Sequence, residues 1–154
     1  MTTRLGLLLG ACLAFAPVAL ADVTVVDGDT IIVGGEAFDL HGIVAPEHRQ
    51  ICADGTPAGV IASEVLRELV RDRTVTCEPK ARSRYSPTVG VCLADGLDLG
   101  SLMVRSGWAW AFVQHSANYL PQEAAARAAR IGVHAHDCIP PQTRQRFNNR
   151  KSTQ

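Results

Sequence analysis

The chain has 154 residues, 47% of them hydrophobic, and its 15 Lys and Arg balance 15 Asp and Glu. This length suits one hydrophobic core and argues against several domains. The charge is unevenly distributed, because residues 22–137 hold 10 basic and 15 acidic residues, whereas residues 138–154 hold four basic and no acidic ones. Residues 22–137, the body of the chain, are net acidic and attract polyphosphates poorly. The composition therefore argues against strong nucleic-acid binding by this body.

The first 21 residues have the features of an export signal. Arg4 precedes an apolar run from Leu5 to Leu20, and small residues precede Asp22. This pattern predicts a signal peptide cleaved before Asp22, and therefore a periplasmic or secreted protein with no membrane contact afterwards. A membrane anchor is the weaker reading because the run is short for a span, and lipidation at Cys12 remains an alternative.

Short runs rich in β-branched residues open the mature chain and predict three strands joined by tight turns. They are Val23–Val26, Thr30–Val33 and Ala37–Val44. From Pro57 onwards, Ala62, Leu66 and Leu69 recur at helical spacing. They predict an amphipathic helix of about four turns.

Four cysteines remain after removal of the signal, and an even number in an exported chain favours two disulfides over free thiols. Thr74–Glu78 and Thr88–Leu93 are predicted to pair as antiparallel strands. Cys77 and Cys92 would then lie nearly opposite one another, close enough for a disulfide. By elimination, Cys52 pairs with Cys138.

Asp98 is a predicted N-cap of a short helix that Gly107 ends. Trp108–Val113 is predicted to be extended, and Pro121 to begin a last helix ending at Gly132. The order of elements favours an α+β, mainly β fold: a five-stranded Greek-key barrel of the oligonucleotide-binding (OB) type with about three helices.

Four motifs follow in order: Val26-Asp27-Gly28-Asp29-Thr30, Leu40-His41-Gly42-Ile43-Val44-Ala45-Pro46-Glu47, Arg84-Tyr85 and Val104-Arg105-Ser106-Gly107-Trp108-Ala109. Together they resemble the staphylococcal-nuclease-like, or thermonuclease, family over residues 22–141. The resemblance implies a five-stranded barrel and calcium-dependent hydrolysis of phosphodiester bonds in DNA and RNA. Residues 142–154 form a basic tail that is expected to be flexible.

The resemblance carries roles onto five residues. Asp29 matches a metal-binding aspartate, with Asp27 as its companion, and Glu47 matches the glutamate associated with the attacking water. Tyr85 matches an aromatic residue beside the bound nucleotide, and Arg84 an outer contact to it.

Three other positions depart from the family pattern. Asp39 stands where the family has an arginine on the phosphate, and Pro87 stands where it has the second such arginine. Val44 replaces the second metal-binding aspartate. Since one arginine on a transferring phosphoryl group contributes about 10³ to 10⁵ in rate, activity is expected to be lost or strongly reduced. Calcium binding is expected to be weak or absent.

Two alternatives stay open. The first is an active metal-dependent phosphodiesterase whose site is rebuilt from Asp27, Asp29, Asp39 and Glu47. The second is a non-catalytic module that binds nucleic acid weakly through the barrel face and the basic tail. Arg49, Arg82 and Arg84 lie close enough in sequence to be candidate substitute cations. In each case a monomer is favoured.

Overall fold

The computed structural model describes residues 22–82 and 87–141. The predicted signal peptide, the basic tail and the candidate residues Arg84 and Tyr85 lie outside the described residues. Within the described part, no helix is long and apolar enough to cross a membrane.

The strands are β1 Val23–Val25, β2 Thr30–Val33, β3 Glu36–Leu40, β4 Ile43–Val44, β5 Val75–Ala81, β6 Thr88–Ala94, β7 Leu97–Asp98 and β8 Trp110–Ala111. They form a mixed, mainly antiparallel sheet in the order β1-β2-β3-β6-β5, with β7 added beside β6. Among the described strands of this sheet, only β3 and β6 run parallel. β2 and β5 also contact each other although they are not hydrogen-bonded neighbours. The predicted mainly β, OB-type fold with about three helices is confirmed.

The prediction of one strand over Ala37–Val44 was wrong in one respect, because the chain forms two strands there. Gly42 has φ +76, and a Cβ there would lie 2.8 Å from Cβ of Ser116. The chain therefore turns at this glycine, where other residues would be strained and crowded. β4 leaves the main sheet and pairs antiparallel with β8. Val44 and Asp39 consequently belong to different sheets.

The helices are α1 Ala58–Val70, α2 Leu99–Arg105 and α3 Leu120–Ala129. The Oδ1 atom of Asp98 accepts a 3.2 Å hydrogen bond from the amide of Ser101, which confirms the predicted N-cap. The last helix is shorter than predicted. It ends at Ala129 because Arg130 adopts a left-handed conformation with φ +51, and a 3₁₀ turn over Gly132–His134 follows.

α1 packs its apolar face into the core and its first turn against the loop that carries Glu47. Ala62 and Leu66 are fully buried together with Ile31 of β2. A Cβ on Gly59 would overlap the carbonyl oxygen of Glu47. The absence of a side chain at residue 59 thus lets this loop lie directly on α1.

Two disulfides cross-link the chain with the pairing expected from the sequence. Cys77 and Cys92 are register partners on β5 and β6 and are joined. Cys52 is joined to Cys138, 86 residues away. The second disulfide ties the loop before α1 to the segment after α3.

Candidate active site

The Asp-Gly-Asp turn joins β1 to β2 and places Asp29. Oδ1 of Asp27 accepts a 3.1 Å hydrogen bond from the amide of Asp29, which closes the turn locally. A Cβ on Gly28 would lie 2.7 Å from the Cβ atoms of Ala45 and Ala62, so only glycine lets the turn approach them. Oδ2 of Asp29 accepts a 2.6 Å hydrogen bond from the amide of Ala45. This bond links the turn to the end of β4.

Asp39 lies on the neighbouring strand. It is the register partner of Thr30 in the β2–β3 ladder. The hydroxyl of Thr30 donates a 2.9 Å hydrogen bond to Oδ1 of Asp39. The carboxylate of Asp39, at the position where the family resemblance implies an arginine, is therefore held beside the Asp-Gly-Asp turn.

Asp29 and Asp39 line one cavity of about 260 Å³. Of the described residues that line it, none is Lys or Arg. They are Asp29, Thr30, Asp39, Leu40, Ile43, Val44, Val89, Phe112 and His115. The Val44 side chain supplies an apolar wall where a carboxylate is expected from the family. This cavity, the "cleft" below, is the candidate active site.

Burial and two neighbouring carboxylates raise the pKa of Asp29, which lines the cleft. Burial raises the pKa of Asp29 well above its ordinary range, and the hydrogen bond from Ala45 opposes that rise. The negative charges of Asp27 and Asp39 raise the pKa of Asp29 further. The arrangement thus disfavours additional negative charge in the cleft.

His115 is a cleft residue that sequence reasoning missed. Its ring stacks on that of His41, with centroids 6.2 Å apart, and meets Phe112 edge-on at 4.5 Å. No short motif marks His115, because Asp29, Asp39 and Val44, with which it lines the cleft, lie more than 70 residues earlier in the chain.

Glu47 is exposed and is not among the residues that line the cleft. Its backbone amide donates a 3.3 Å hydrogen bond to Oε1 of Gln50. Nε2 of Gln50 donates a 2.8 Å hydrogen bond to the carbonyl of Ile139. Gln50 is only 3% exposed, and its position in the loop gave no sequence signal for this role.

A second set of contacts holds the far end of the loop that carries Glu47, just before α1. Nδ1 of His136 lies 2.6 Å from Oδ2 of Asp54 and 3.0 Å from the hydroxyl of Thr56. The amide of Thr56 donates a 3.0 Å hydrogen bond to Oδ1 of Asp54. This amide, followed by His136, lowers the pKa of Asp54 to about 2. Together with the disulfide to Cys138, these contacts fasten the loop to the C-terminal segment.

The structure does not bring a substitute arginine into the cleft among the residues it describes. A guanidinium nitrogen of Arg82 lies 3.7 Å from Oε1 of Glu36, which also accepts a 2.9 Å hydrogen bond from Thr88. Arg49 is exposed, and neither it nor Pro87 lines the cleft.

The cleft also fits calcium poorly. Calcium takes six to eight oxygen ligands in proteins. Within residues 22–82 and 87–141, no three His, Cys, Asp or Glu side chains form a group that could hold a metal ion. Val44 offers no side-chain oxygen, so the described residues do not reproduce the ligand set implied for the family.

The fold and the order of motifs agree with a direct family match. Residues 37–136 match the model of the family described as staphylococcal nuclease homologue. This match covers more than half of the chain, and the chain belongs to that family. The family is generally calcium-dependent.

The chain is also similar to three named proteins. It is 33% identical over 138 residues to a protein named "Uncharacterized endonuclease" from Escherichia coli, covering 81% of this chain and 86% of that protein. A protein of the same name from Haemophilus influenzae is 31% identical over 120 residues, 73% of this chain and 64% of that protein. The succinoglycan biosynthesis protein ExoI of Rhizobium meliloti is 36% identical over 94 residues, 57% of this chain. The chain spans about half the length of ExoI, 49%.

Proposed function

We propose that this chain is an exported staphylococcal-nuclease-family domain in which calcium-dependent phosphodiester hydrolysis is lost or strongly reduced. The lining of the cleft carries this proposal. The carboxylate of Asp39 lines the cleft at the position where the family resemblance implies an arginine on the phosphate, and the described lining contains no Lys or Arg. A phosphodiester is anionic, and charge on its oxygens grows during displacement, so Asp39 and the lack of a cation in the described lining oppose both binding and reaction.

The expected loss of rate is large. Each arginine on a transferring phosphoryl group contributes about 10³ to 10⁵ in rate, and groups acting together are not additive. Replacement of two arginines by Asp39 and Pro87 therefore predicts a rate at least about 10³-fold below that of an intact site. Val44 adds to the loss by removing a calcium ligand.

Export rests on the N-terminal pattern and on the disulfides. Arg4, the apolar run that follows it and the small residues before Asp22 are typical of a cleaved signal. Two disulfides in one small domain suit an oxidising compartment. We take the mature protein to be a monomer with weak affinity for nucleic acid, because its body is acidic.

A nuclease assay tests the proposal. Protein purified from a bacterial periplasm is assayed on DNA with calcium beside staphylococcal nuclease and a triple variant carrying Asp39→Arg, Val44→Asp and Pro87→Arg. Asp22→Arg is a control, because this exposed substitution changes the net charge by the same amount as the triple variant.

We expect the unmodified protein and the Asp22→Arg control to cleave at least about 10³-fold more slowly than staphylococcal nuclease, and the triple variant to gain activity. A rate within tenfold of staphylococcal nuclease for the unmodified protein would overturn the proposal.

A second candidate function is a metal-dependent phosphodiesterase with a rebuilt acidic site. Asp27 and Asp39 are close enough to raise the pKa of Asp29, and a bound cation would relieve this repulsion. The exposed position of Glu47 does not favour it. Calorimetric titration with calcium, magnesium and manganese tests this candidate. Saturable binding that is lost in Asp29→Asn would support it, and no binding at millimolar metal would rule it out.

A further inference from the structure

A second cavity, of about 360 Å³, adjoins the cleft. Its volume falls within the range of small-molecule sites, whereas the 260 Å³ of the cleft falls below it. Val44 and Phe112 line both cavities and so form a shared wall. We call it the α3 cavity, because Glu123 and Arg127 of α3 line it together with Trp110, His134 and Asp137.

Arg127 is held in place at this cavity while most of its donors remain available. Its guanidinium lies 2.6 Å from Oε1 of Glu123, and the amide of Ala111 donates a 2.9 Å hydrogen bond to Oε2. Both oxygens of Glu123 are thus engaged. The Arg127 side chain is 65% exposed, whereas that of Glu123 is 12% exposed. A guanidinium anchored in this way suits a ligand carboxylate.

His134 contributes an unsatisfied polar atom. Its Nε2 atom is buried and has no hydrogen-bond partner among the described residues. Burial, and then the charge of Arg127, lower the pKa of His134, so the ring is neutral at pH 7. A neutral imidazole offers one N–H donor and one acceptor. A buried nitrogen without a partner is unfavourable.

Asp137 brings the opposite charge to the same cavity. Its backbone has φ +49, a conformation that aspartate adopts more readily than most residues. The next residue, Cys138, is fixed by its disulfide to Cys52 and by a 3.1 Å hydrogen bond from its amide to the carbonyl of Val133. The carboxylate of Asp137 is therefore carried on an anchored turn.

We propose that the α3 cavity binds a small zwitterion of the α-amino-acid class. The ligand carboxylate pairs with Arg127, its ammonium group pairs with Asp137, and its side chain packs on the apolar wall formed by Trp110 and Phe112. The charged residues of the described lining are Glu123, Arg127 and Asp137, so a simple anion is disfavoured, whereas a ligand with one charge of each sign pairs with both Arg127 and Asp137. This assignment does not depend on whether the cleft hydrolyses phosphodiesters.

The test is an NMR titration of the isotope-labelled exported protein with leucine and two analogues that each lack one charge. 4-Methylpentanoate keeps the carboxylate, and isoamylamine keeps the ammonium group. We expect saturable shifts with leucine, and affinity at least about tenfold lower for both analogues. Arg127→Gln and Asp137→Asn should each weaken leucine binding by a similar factor. Arg130→Gln, close by in sequence but outside the cavity lining, should not.

Three outcomes would overturn the assignment. The first is no saturable binding of leucine up to about 10 mM. The second is leucine binding that is unchanged in Arg127→Gln and in Asp137→Asn, which would place the ligand elsewhere. The third is equal binding of 4-methylpentanoate and leucine, which would indicate a plain anion site. The spectra of the variants show at the same time whether each remains folded.

Discussion

The side-chain amide of Gln50 donates a 2.8 Å hydrogen bond to the carbonyl oxygen of Ile139, 89 residues later in the chain. Because Oε1 of Gln50 also accepts from the amide of Glu47, one buried side chain connects the loop of Glu47 to the C-terminal segment. Gln50→Leu should remove both bonds and leave the amide of Glu47 and the carbonyl of Ile139 without this partner. We expect a loss of about 1–3 kcal/mol in the free energy of unfolding, measured by urea denaturation.

The control for this prediction is Gln114→Leu, at an exposed position. An exposed substitution of this kind should change the free energy of unfolding by no more than about 0.5 kcal/mol. Equal effects of the two substitutions would mean that the Gln50 bonds do not stabilise the fold.

Asp29→Asn should stabilise the protein at neutral pH. Burial, Asp27 and Asp39 raise the pKa of Asp29 in the folded state, so its ionisation opposes folding. Protonated Asp29 stabilises the folded wild-type protein below the ordinary carboxyl pKa. This stabilisation is lost as the pH rises through the higher pKa of the folded state. We expect a gain of about 1 kcal/mol at pH 7 that shrinks towards pH 4, measured by urea denaturation at both values. A variant that is less stable than wild type at pH 7 would contradict this account of the cleft, and Asp22→Asn is the exposed control.

Asp54→Asn should have the opposite pH dependence. The amide of Thr56, followed by His136, lowers the pKa of Asp54 to about 2. A lowered carboxyl pKa stabilises the folded state above the ordinary carboxyl pKa, and that contribution is lost as the pH falls to about 2. The variant should therefore unfold at a lower temperature than wild type at pH 6, and the two should converge near pH 2. Thermal unfolding across this range measures the difference, and Asp72→Asn, at an exposed position after α1, should show no such convergence.

The two disulfides should contribute unequally to stability. Cys52 and Cys138 are 86 residues apart, whereas Cys77 and Cys92 are 15 apart. The longer closed loop removes more entropy from the unfolded chain, so double serine variants should lose about 4.5 and about 3 kcal/mol respectively. Urea denaturation of the two variants compares these losses directly. A larger loss for the Cys77 and Cys92 variant would show that chain entropy does not govern the difference.

Several features of this protein could be predicted from the sequence because they depend on neighbouring residues. The Asp27-Gly28-Asp29 turn, the helical spacing of α1 and the N-cap at Asp98 are local patterns, and the structure contains all three. Pairing of Cys77 with Cys92 followed from the alternation along two adjacent strands. The departures at Asp39, Val44 and Pro87 from the pattern that the resemblance implies are likewise visible in the residues themselves, since Asp39 and Pro87 carry no positive charge and Val44 has no side-chain oxygen.

The tertiary structure alone decided which distant residues share a cavity. Gly42 redirects the chain into a second sheet, so Val44 faces both the cleft and the α3 cavity. His115 reaches the cleft, Glu47 stays outside its lining, and Gln50 joins two segments separated by most of the chain. These outcomes follow from the packing of helices, strands and loops that lie far apart in the sequence. A local pattern specifies the element to which a residue belongs, but only the packed fold brings that residue to its partners.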